Sequence, residues 1–409
     1  MQSFNIHPIS LIKALSMALE LAVNGMSKHH WRTAVICKNI SDRLKMDNFE
    51  QQRLLYAALL HDIGAASSWD ERRKVKSVES FAVGVYKHAE DGYFLLKDSA
   101  RLGELAEPIR YHHDKWAGNN PSGLSGDAIP LTARLIHLAD RIEVLINEQE
   151  RIFLQRERIS KKIISKSGTD FDPKLVDVFK ECAESESFWL DLVNINYYDT
   201  FFKGLDIYGA INYSLDDAIN IAEIFAIIID RMSSFTANHS RSVAKMAVFI
   251  AKLKGFSAEE VKNIQIAGLL HDLGKLSIPN EILEKPGALT HEEVMIIRQH
   301  TYYTYRILEQ IDNFDKIKEW AAYHHECLDG SGYPFKLKEE SLSLGSRIVA
   351  VADVFVALTE DRPYRSRLPE DRVKSIMYGM VEKHKLDRQV TKDLLLVYDE
   401  AIKLMAESA

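Results

Sequence analysis

The chain of 409 residues has few of the features that mark secreted or nucleic-acid-binding proteins. It contains only three cysteines, and Cys37, Cys182 and Cys327 lack the spacing of metal or redox motifs, which predicts free thiols in a reducing compartment. A formal net charge of −7 leaves no basic excess for holding a nucleic-acid backbone nonspecifically. We therefore expect any anionic ligand to be held locally, by metal ions or by a few placed Lys and Arg side chains.

Long hydrophobic runs are also missing. The longest, "IAEIFAIIID" from Ile221, is about half of a membrane span and contains Glu223. The N-terminal "MQSFNIHPIS" has no basic region followed by an apolar one, so no signal peptide is predicted. The composition, 46% hydrophobic and 27% charged, is that of an ordinary globular protein. We expect a soluble cytoplasmic protein with neither a membrane nor a nucleic-acid polymer as partner.

The sequence does contain a histidine-rich pattern that occurs twice, once in each half of the chain. "LLHDIGA" begins at Leu59 and "LLHDLGK" at Leu269, and single His, His-His and Asp positions flank each copy at nearly constant gaps. Such a long ordered recurrence indicates duplicated domains rather than chance. The first half contributes His30, His61, Asp62, His88, His112, His113 and Asp140. The second half contributes His239, His271, Asp272, His300, His324, His325 and Asp353.

Helical periodicity dominates the chain. The stretch "SVAKMAVFIAKL" has apolar residues at helical spacing and ends before Gly255. Asp47 and Ser257 each precede a Glu by three residues, which predicts a helix start and a helix that ends near the His-Asp pair. No useful β-alternation occurs, so we predict an all-α fold of two tandem helical bundles, residues 1–205 and 216–409. An aromatic-rich helical connection should join them, with its side chains packed between the domains.

Each set of five imidazoles and two carboxylates exceeds the roughly four ligands that one zinc ion takes. It fits two divalent transition metals that share a bridging Asp. Iron and manganese are favoured and nickel, cobalt and zinc stay open, whereas magnesium and calcium prefer all-oxygen shells. Two such metals about 3.5–4 Å apart can clamp a phosphoryl oxygen, which is the layout of phosphodiester hydrolysis. The alternative is a structural metal site, but closed structural sites rarely need so many ligands.

The second half resembles the HD-GYP family, the bacterial cyclic dinucleotide phosphodiesterases of the HD superfamily. The resemblance rests on "HDLGK" from His271, "HHECLDGSGYP" from His324 and "VADVFVALTEDRPYR" from Val351, and it covers roughly residues 216–390. The first half resembles only the broader superfamily. The family pattern implies that one metal is held by His239, His271, Asp272 and Asp353, and the other by His300, His324 and His325, with Asp272 bridging.

The resemblance also implies roles in substrate binding and catalysis. Lys275, a cation three residues beyond Asp272, suits a phosphate oxygen or the leaving oxygen, so these two residues are the expected catalytic pair. The "DGSGYP" turn should lie at the rim of the site, where Tyr333 contacts the nucleotide. Arg362 is the preferred phosphate contact and Arg365 a further candidate, because guanidinium groups pair bidentately with phosphate.

Three positions depart from the family pattern. Phe235 stands where some members carry a Glu for a third metal, so two ions are expected. Thr301 and Thr304 replace the Pro and Gly that are common after the third ligand, which should alter the helix start and the pocket.

Three functions follow from the resemblance, and the sequence does not separate them fully. The leading one is hydrolysis of cyclic di-GMP to pGpG and/or GMP, and 3′,3′-cyclic GMP-AMP is an alternative substrate. The third is a non-catalytic cyclic dinucleotide sensor that signals through protein partners. The first half has Ala65 in place of the lysine and no GYP stretch. We therefore expect the first half to be regulatory. Whether it binds metal is left open, as is a homodimer or partner contact through it or through the GYP loop.

Overall fold

The computed structural model describes residues 6–24, 28–67, 86–194, 196–205, 212–232, 238–361 and 367–406. Over these residues the chain is 70% helical and contains no strand, which confirms the predicted all-α class. Among the same residues, no helix combines the length and the apolar character needed to cross a membrane.

The chain forms two compact units. The N-terminal unit is Pro8–Ile211, and the C-terminal unit is Asn212–Ala409 together with Met1–His7. The start of the chain belongs with the C-terminal unit because Ile6 and Tyr213 exchange two backbone hydrogen bonds of 2.9 and 3.1 Å.

Ten α-helices are described in the N-terminal unit, and short 3₁₀ turns connect some of them. The helices are α1 (Pro8–Asn24), α2 (His29–Arg43), α3 (Asn48–Leu60), α4 (Tyr86–Leu96), α5 (Ala106–Arg110), α6 (Leu131–Val144), α7 (Ile152–Ile164), α8 (Pro173–Glu184), α9 (Glu186–Asp191) and α10 (Tyr197–Leu205). Helix α2 packs against α3 and α6 at the centre of the unit.

The described part of the C-terminal unit also holds ten α-helices. They are α11 (Leu215–Arg231), α12 (His239–Leu253), α13 (Ala258–Leu270), α14 (Asn280–Leu283), α15 (His291–Leu308), α16 (Asp315–Ala322), α17 (Leu344–Thr359), α18 (Glu370–Glu382), α19 (Arg388–Leu396) and α20 (Tyr398–Ala406). Helix α12 packs against α13 and α17, as α2 packs against α3 and α6 in the N-terminal unit.

The helices that lead to the two His-Asp pairs begin and end as the sequence predicts. Ser257 and Glu260 form a complete capping box at the start of α13. Asp47 caps α3 by accepting the backbone N–H of Glu50 at 2.9 Å. Both helices end one residue before the pair, so the pair is presented at a helix C-terminus within the core.

The aromatic-rich connection spans residues 188–213, and its described aromatic residues up to 205 pack within the N-terminal unit. Phe188 and Trp189 are buried and contact the ring of Phe179. Phe201 and Phe202 of α10 are buried as well. These residues are therefore part of that unit's core, whereas Tyr213 belongs to the C-terminal unit. Packing between the domains stays a prediction.

One glycine explains part of the repeated motif. A Cβ added at Gly64 would lie 2.0 Å from the carbonyl oxygen of His88, and one added at Gly274 would lie 1.9 Å from that of His300. The turn after each His-Asp pair thus lies directly against the helix that carries the next histidine. No residue with a Cβ fits there unless this helix moves, so the glycine sets the spacing between elements of the site.

We predict that Gly274→Ala lowers the free energy of unfolding by about 1–3 kcal/mol, because the methyl group overpacks a contact with backbone. Gly379→Ala is the matched control: it lies inside α18 with no atom within 4 Å of the added Cβ. That change should stabilise the protein by up to about 1 kcal/mol through helix propensity. Chemical denaturation of both variants measures this, and equal effects would contradict the packing argument.

Candidate metal centre

Helices of the C-terminal unit bring seven polar side chains to one centre. His239 begins α12, the His-Asp pair follows α13, and the His-His pair follows α16, while α15 and α17 each contribute one residue from their interior. Six of the seven are buried and His325 is half-buried. Their ligand atoms form overlapping groups within 4.8 Å of one another. The seven are the predicted set His239, His271, Asp272, His300, His324, His325 and Asp353.

Asp272 lies between the two predicted subsites. Its Oδ1 is 3.4 Å from Nε2 of His300 and 3.9 Å from Nε2 of His324. Its Oδ2 is 3.2 Å from Nε2 of His271. Each carboxylate oxygen therefore faces a different group of imidazoles, which is the geometry that a bridging ligand needs.

Backbone hydrogen bonds orient three of these imidazoles. Nδ1 of His271, His300 and His324 lies 2.8, 2.6 and 2.7 Å from the carbonyl oxygen three residues earlier in the chain. A carbonyl only accepts, so each Nδ1 carries the proton and each Nε2 presents a lone pair to the centre. Metal-ligating histidines usually donate their other ring N–H to a carbonyl or carboxylate in this way, which fixes the orientation of the ring.

Several hydrogen-bond acceptor atoms of the centre face one another with no donor between them. Nε2 of His300 and His324 are 3.4 Å apart with no proton between them. Nε2 of His271 and Oδ1 of Asp272 are buried without a hydrogen-bond donor among the described residues. Unpaired buried polar atoms are costly, and a cation would satisfy all of them at once. The donor set of imidazoles and carboxylates therefore fits divalent first-row metals.

Burial keeps most of these imidazoles in the neutral form that metals bind. It lowers the pKa of His300 to about 3, and it holds the pKa of His324 well below the usual range. For Asp353, burial would raise the pKa, but the hydrogen bond from His239 and the nearby imidazoles outweigh it and hold the pKa far below its ordinary value. The carboxylate is thus ionised at neutral pH.

Lys275 reaches the centre itself. Its Nζ donates a hydrogen bond of 2.5 Å to Oδ2 of Asp272, and its side chain is partly exposed. It thus combines contact with the bridging carboxylate and access to solvent, as a residue that meets a bound phosphate must.

The GYP loop is tied to the His-His pair. Glu326, the residue after the pair, accepts the backbone N–H groups of Phe335 and Leu337 at 2.7 and 3.0 Å. The backbone N–H of Tyr333 donates to the carbonyl of His325, and the two rings are 5.0 Å apart. Glu326 thus holds the backbone that follows Tyr333 in the loop, a structural role that the sequence did not indicate.

Arg298 is a rim residue that the sequence analysis missed. Its guanidinium lies over the ring of Tyr333 at 4.9 Å, and its side chain is exposed. The available signal was its position two residues before His300. The predicted arginines Arg362 and Arg365 lie outside the described residues, as does Phe235.

Helix α15 begins at His291 and runs through both threonines, so they lie in the interior of the helix. Thr304 accepts the backbone N–H of Gly274 at 2.9 Å and donates to the carbonyl of His271 at 3.1 Å. It therefore joins the helix of the third histidine to the His-Asp turn.

The N-terminal unit has a related centre. Oδ1 of Asp62 lies 3.3 Å from Nε2 of His88 and 3.8 Å from Nε2 of His112, close to the equivalent distances around Asp272. His61 and His112 are also oriented by carbonyl groups three residues earlier. His113 completes this group with Nε2 2.9 Å from that of His88. Ala65, in place of the lysine, is buried.

Two further residues enter the N-terminal centre. Nε2 of His29 lies 3.4 Å from Oδ2 of Asp62, and Arg141 contacts Oδ2 of Asp140 through Nε and Nη2 at 3.0 and 2.7 Å. The sequence held a signal for the first: His29 precedes His61 by 32 residues, the same separation as His239 and His271.

Comparison with known proteins gives matches to both units. A model described as HD domain matches residues 223–390, and a second HD domain model matches residues 26–145. The 3′3′-cGAMP-specific phosphodiesterase 1 of Vibrio cholerae is 32% identical over 370 residues, which cover 88% of this chain and 85% of that protein. The chain belongs to the HD-GYP family. Its N-terminal unit is an additional HD domain.

Two other relatives of this HD-GYP protein cover less of its length. The 3′3′-cGAMP-specific phosphodiesterase 3 of V. cholerae is 35% identical over 67% of this chain and 58% of its own. A cyclic di-GMP phosphodiesterase of Thermotoga maritima is 40% identical over 38% of this chain and 42% of its own. A crystal structure of a cyclic GMP-AMP specific phosphodiesterase of V. cholerae matches with a TM-score of 0.67 and 26% identity, covering 98% of both chains.

Proposed function

We propose that the C-terminal unit is a metal-dependent phosphodiesterase that hydrolyses a cyclic dinucleotide, with 3′,3′-cyclic GMP-AMP as the preferred substrate. The observation that carries the reaction class is the centre itself. Asp272 lies between two groups of inward-facing imidazoles with Lys275 in contact with its carboxylate, and this arrangement suits two cations and one phosphate.

The choice of substrate rests on which relatives span both units. Two relatives named for cyclic GMP-AMP match 88% and 67% of the chain. Two named for cyclic di-GMP match 38% and 34%, less than one half of the chain. We therefore place cyclic GMP-AMP ahead of the cyclic di-GMP that sequence analysis favoured, and we keep cyclic di-GMP as the second candidate.

In the proposed reaction, water adds to one phosphorus, the bond from phosphorus to the 3′ oxygen breaks, and that oxygen leaves with a proton. The product is a linear dinucleotide with a 5′ phosphate, and hydrolysis of its remaining diester would give mononucleotides. Bound divalent ions would withdraw charge from the phosphoryl oxygens and acidify the attacking water. His239, His271, Asp272 and Asp353 would hold one ion, and His300, His324, His325 and Asp272 the other.

The other polar groups then position the substrate. Lys275 would exchange its contact with Asp272 for the phosphate, where its charge stabilises the developing negative charge. Tyr333, with Arg298 stacked on it, offers a flat surface at the rim for a base. Arg362 and Arg365 stay candidates for the second phosphate. The N-terminal unit lacks the lysine, and we propose that it modulates the reaction and does not catalyse it.

We predict that Lys275→Ala lowers kcat on the order of 10²–10³-fold, because one cation that stabilises the transition state is lost. Metal content should stay at the wild-type level, since all seven proposed ligands remain. Turnover assays paired with elemental analysis test this, with Lys392→Ala on the exposed face of α19 as the control. A Lys275→Ala enzyme with full turnover would show that the lysine has no catalytic role.

The function itself is tested by turnover of metal-loaded protein with 3′,3′-cyclic GMP-AMP, cyclic di-GMP and cyclic di-AMP. We expect hydrolysis of the first at the highest kcat/KM and complete loss in His271→Ala/Asp272→Ala. The double variant His61→Ala/Asp62→Ala of the N-terminal unit should keep at least part of the activity.

Binding of a cyclic dinucleotide without turnover under any metal would identify a sensor and overturn the proposal. A loss of activity in the His61/Asp62 variant alone, with His271/Asp272 dispensable, would place catalysis in the other unit.

A further inference from the structure

We propose that the N-terminal unit binds a metal ion through an exchanged ligand set, in which the imidazole of His30 replaces the carboxylate of Asp140. His29, His30, His61 and Asp62 would hold the ion on the α2 side of the centre. Asp140, expected from its position to be a ligand, is instead held by Arg141. The inference concerns the N-terminal unit and does not depend on the activity proposed for the C-terminal one.

The matching positions of the two units follow from the shared spacing. His29 is the first residue of α2, and His239 is the first residue of α12. In both histidines Nδ1 forms a hydrogen bond with a glutamate side chain. Nδ1 of His29 lies 2.6 Å from Glu143, and Nδ1 of His239 lies 3.2 Å from Glu360. His29 is thus the counterpart of His239, and His30 is the counterpart of Ser240.

His30 has the environment of a ligand. It is fully buried, and neither ring nitrogen has a hydrogen-bond partner among the described residues. Its Nε2 is 3.7 Å from Oδ2 of Asp62, the oxygen that also lies 3.4 and 3.5 Å from Nε2 of His29 and His61. These four side chains form a group whose ligand atoms all lie within 4.8 Å. In the C-terminal unit the equivalent residue, Ser240, donates its hydroxyl to Asp230 at 2.7 Å. It therefore has no counterpart of the His30 imidazole to offer a metal.

Asp140 has the environment of a neutralised carboxylate. Two donors of the buried Arg141 contact its Oδ2, and its Oδ1 is 3.7 Å from Nε2 of His29. Its counterpart Asp353 lies closer to His239, at 3.2 Å, and is followed by the apolar Val354. A guanidinium that neutralises a carboxylate competes directly with a cation for it. The two exchanges therefore compensate: Arg141 removes one oxygen ligand and His30 supplies one nitrogen ligand.

The exchange changes the metal that the centre prefers. The α2 side offers three imidazoles and one carboxylate, whereas the α12 side offers two of each. Imidazole-rich sites favour zinc, nickel or cobalt, and added carboxylates favour manganese. The N-terminal centre should therefore bind Co²⁺ more tightly than Mn²⁺, by a wider margin than the C-terminal one.

The test is the number of Co²⁺ ions per full-length chain after reloading the metal-free protein, with the visible spectrum of bound Co²⁺ as a second readout. His61→Ala/Asp62→Ala defines how many ions the N-terminal unit holds. We expect His30→Ser to lose about one ion per chain and Asp140→Asn to lose none, because only the first removes a ligand. His30→Ser/Arg141→Val recreates the C-terminal residues at both positions and should recover the ion. Adding Asp140→Asn to that double variant should remove it again.

Thermal unfolding of each variant checks that it is folded, and His30→Asn replaces His30→Ser if the serine variant is not. If the single variant Asp140→Asn loses an ion, the proposed ligand exchange is wrong. It is also wrong if both His30→Ser and His30→Asn keep the full Co²⁺ content. A His61→Ala/Asp62→Ala protein that binds as many ions as wild type would show that the N-terminal unit holds no metal.

Discussion

The C-terminal centre depends on one constraint: a buried carboxylate, Asp272, surrounded by imidazole lone pairs. Carbonyl groups hold the Nδ1 protons of His271, His300 and His324, so the Nε2 atoms carry no proton and present their lone pairs to the centre. The helices that supply these carbonyls also supply the core. The fold therefore fixes a buried cluster of acceptor atoms that a cation would complete, and in the proposed reaction the same geometry would align the charges that phosphoryl transfer requires.

The repeated spacing made most of the site predictable. Helix periodicity and caps located the helices around the His-Asp pairs, and a recurring order of His and Asp gave the seven C-terminal residues that the structure brings together. Contacts between distant elements were not predictable. The stacking of Arg298 on Tyr333 depends on how the GYP loop packs, and the contact of Glu326 with that loop's backbone leaves no pattern in the sequence.

The N-terminal centre shows what spacing leaves open about which positions match. His29 and His30 are adjacent, and the sequence prediction took His30, 31 residues before His61, although His29 has the separation of 32 residues that also divides His239 from His271. Arg141 is the next residue after Asp140 in the chain, but adjacency in sequence does not predict that its guanidinium contacts that carboxylate. The contact is seen only in the folded helix. Under the proposed ligand exchange, the two domains keep the same ordered residue types while some roles pass to neighbouring residues.

The central claim is that Asp272 bridges two metal ions, and anomalous diffraction from crystals grown with Mn²⁺ tests it most directly. The account predicts two anomalous peaks in the C-terminal unit about 3.5–4 Å apart, one at each carboxylate oxygen of Asp272. Lys275 should then have left the oxygen that it contacts in this structure. A single peak, or two peaks that Asp272 does not join, would contradict the account.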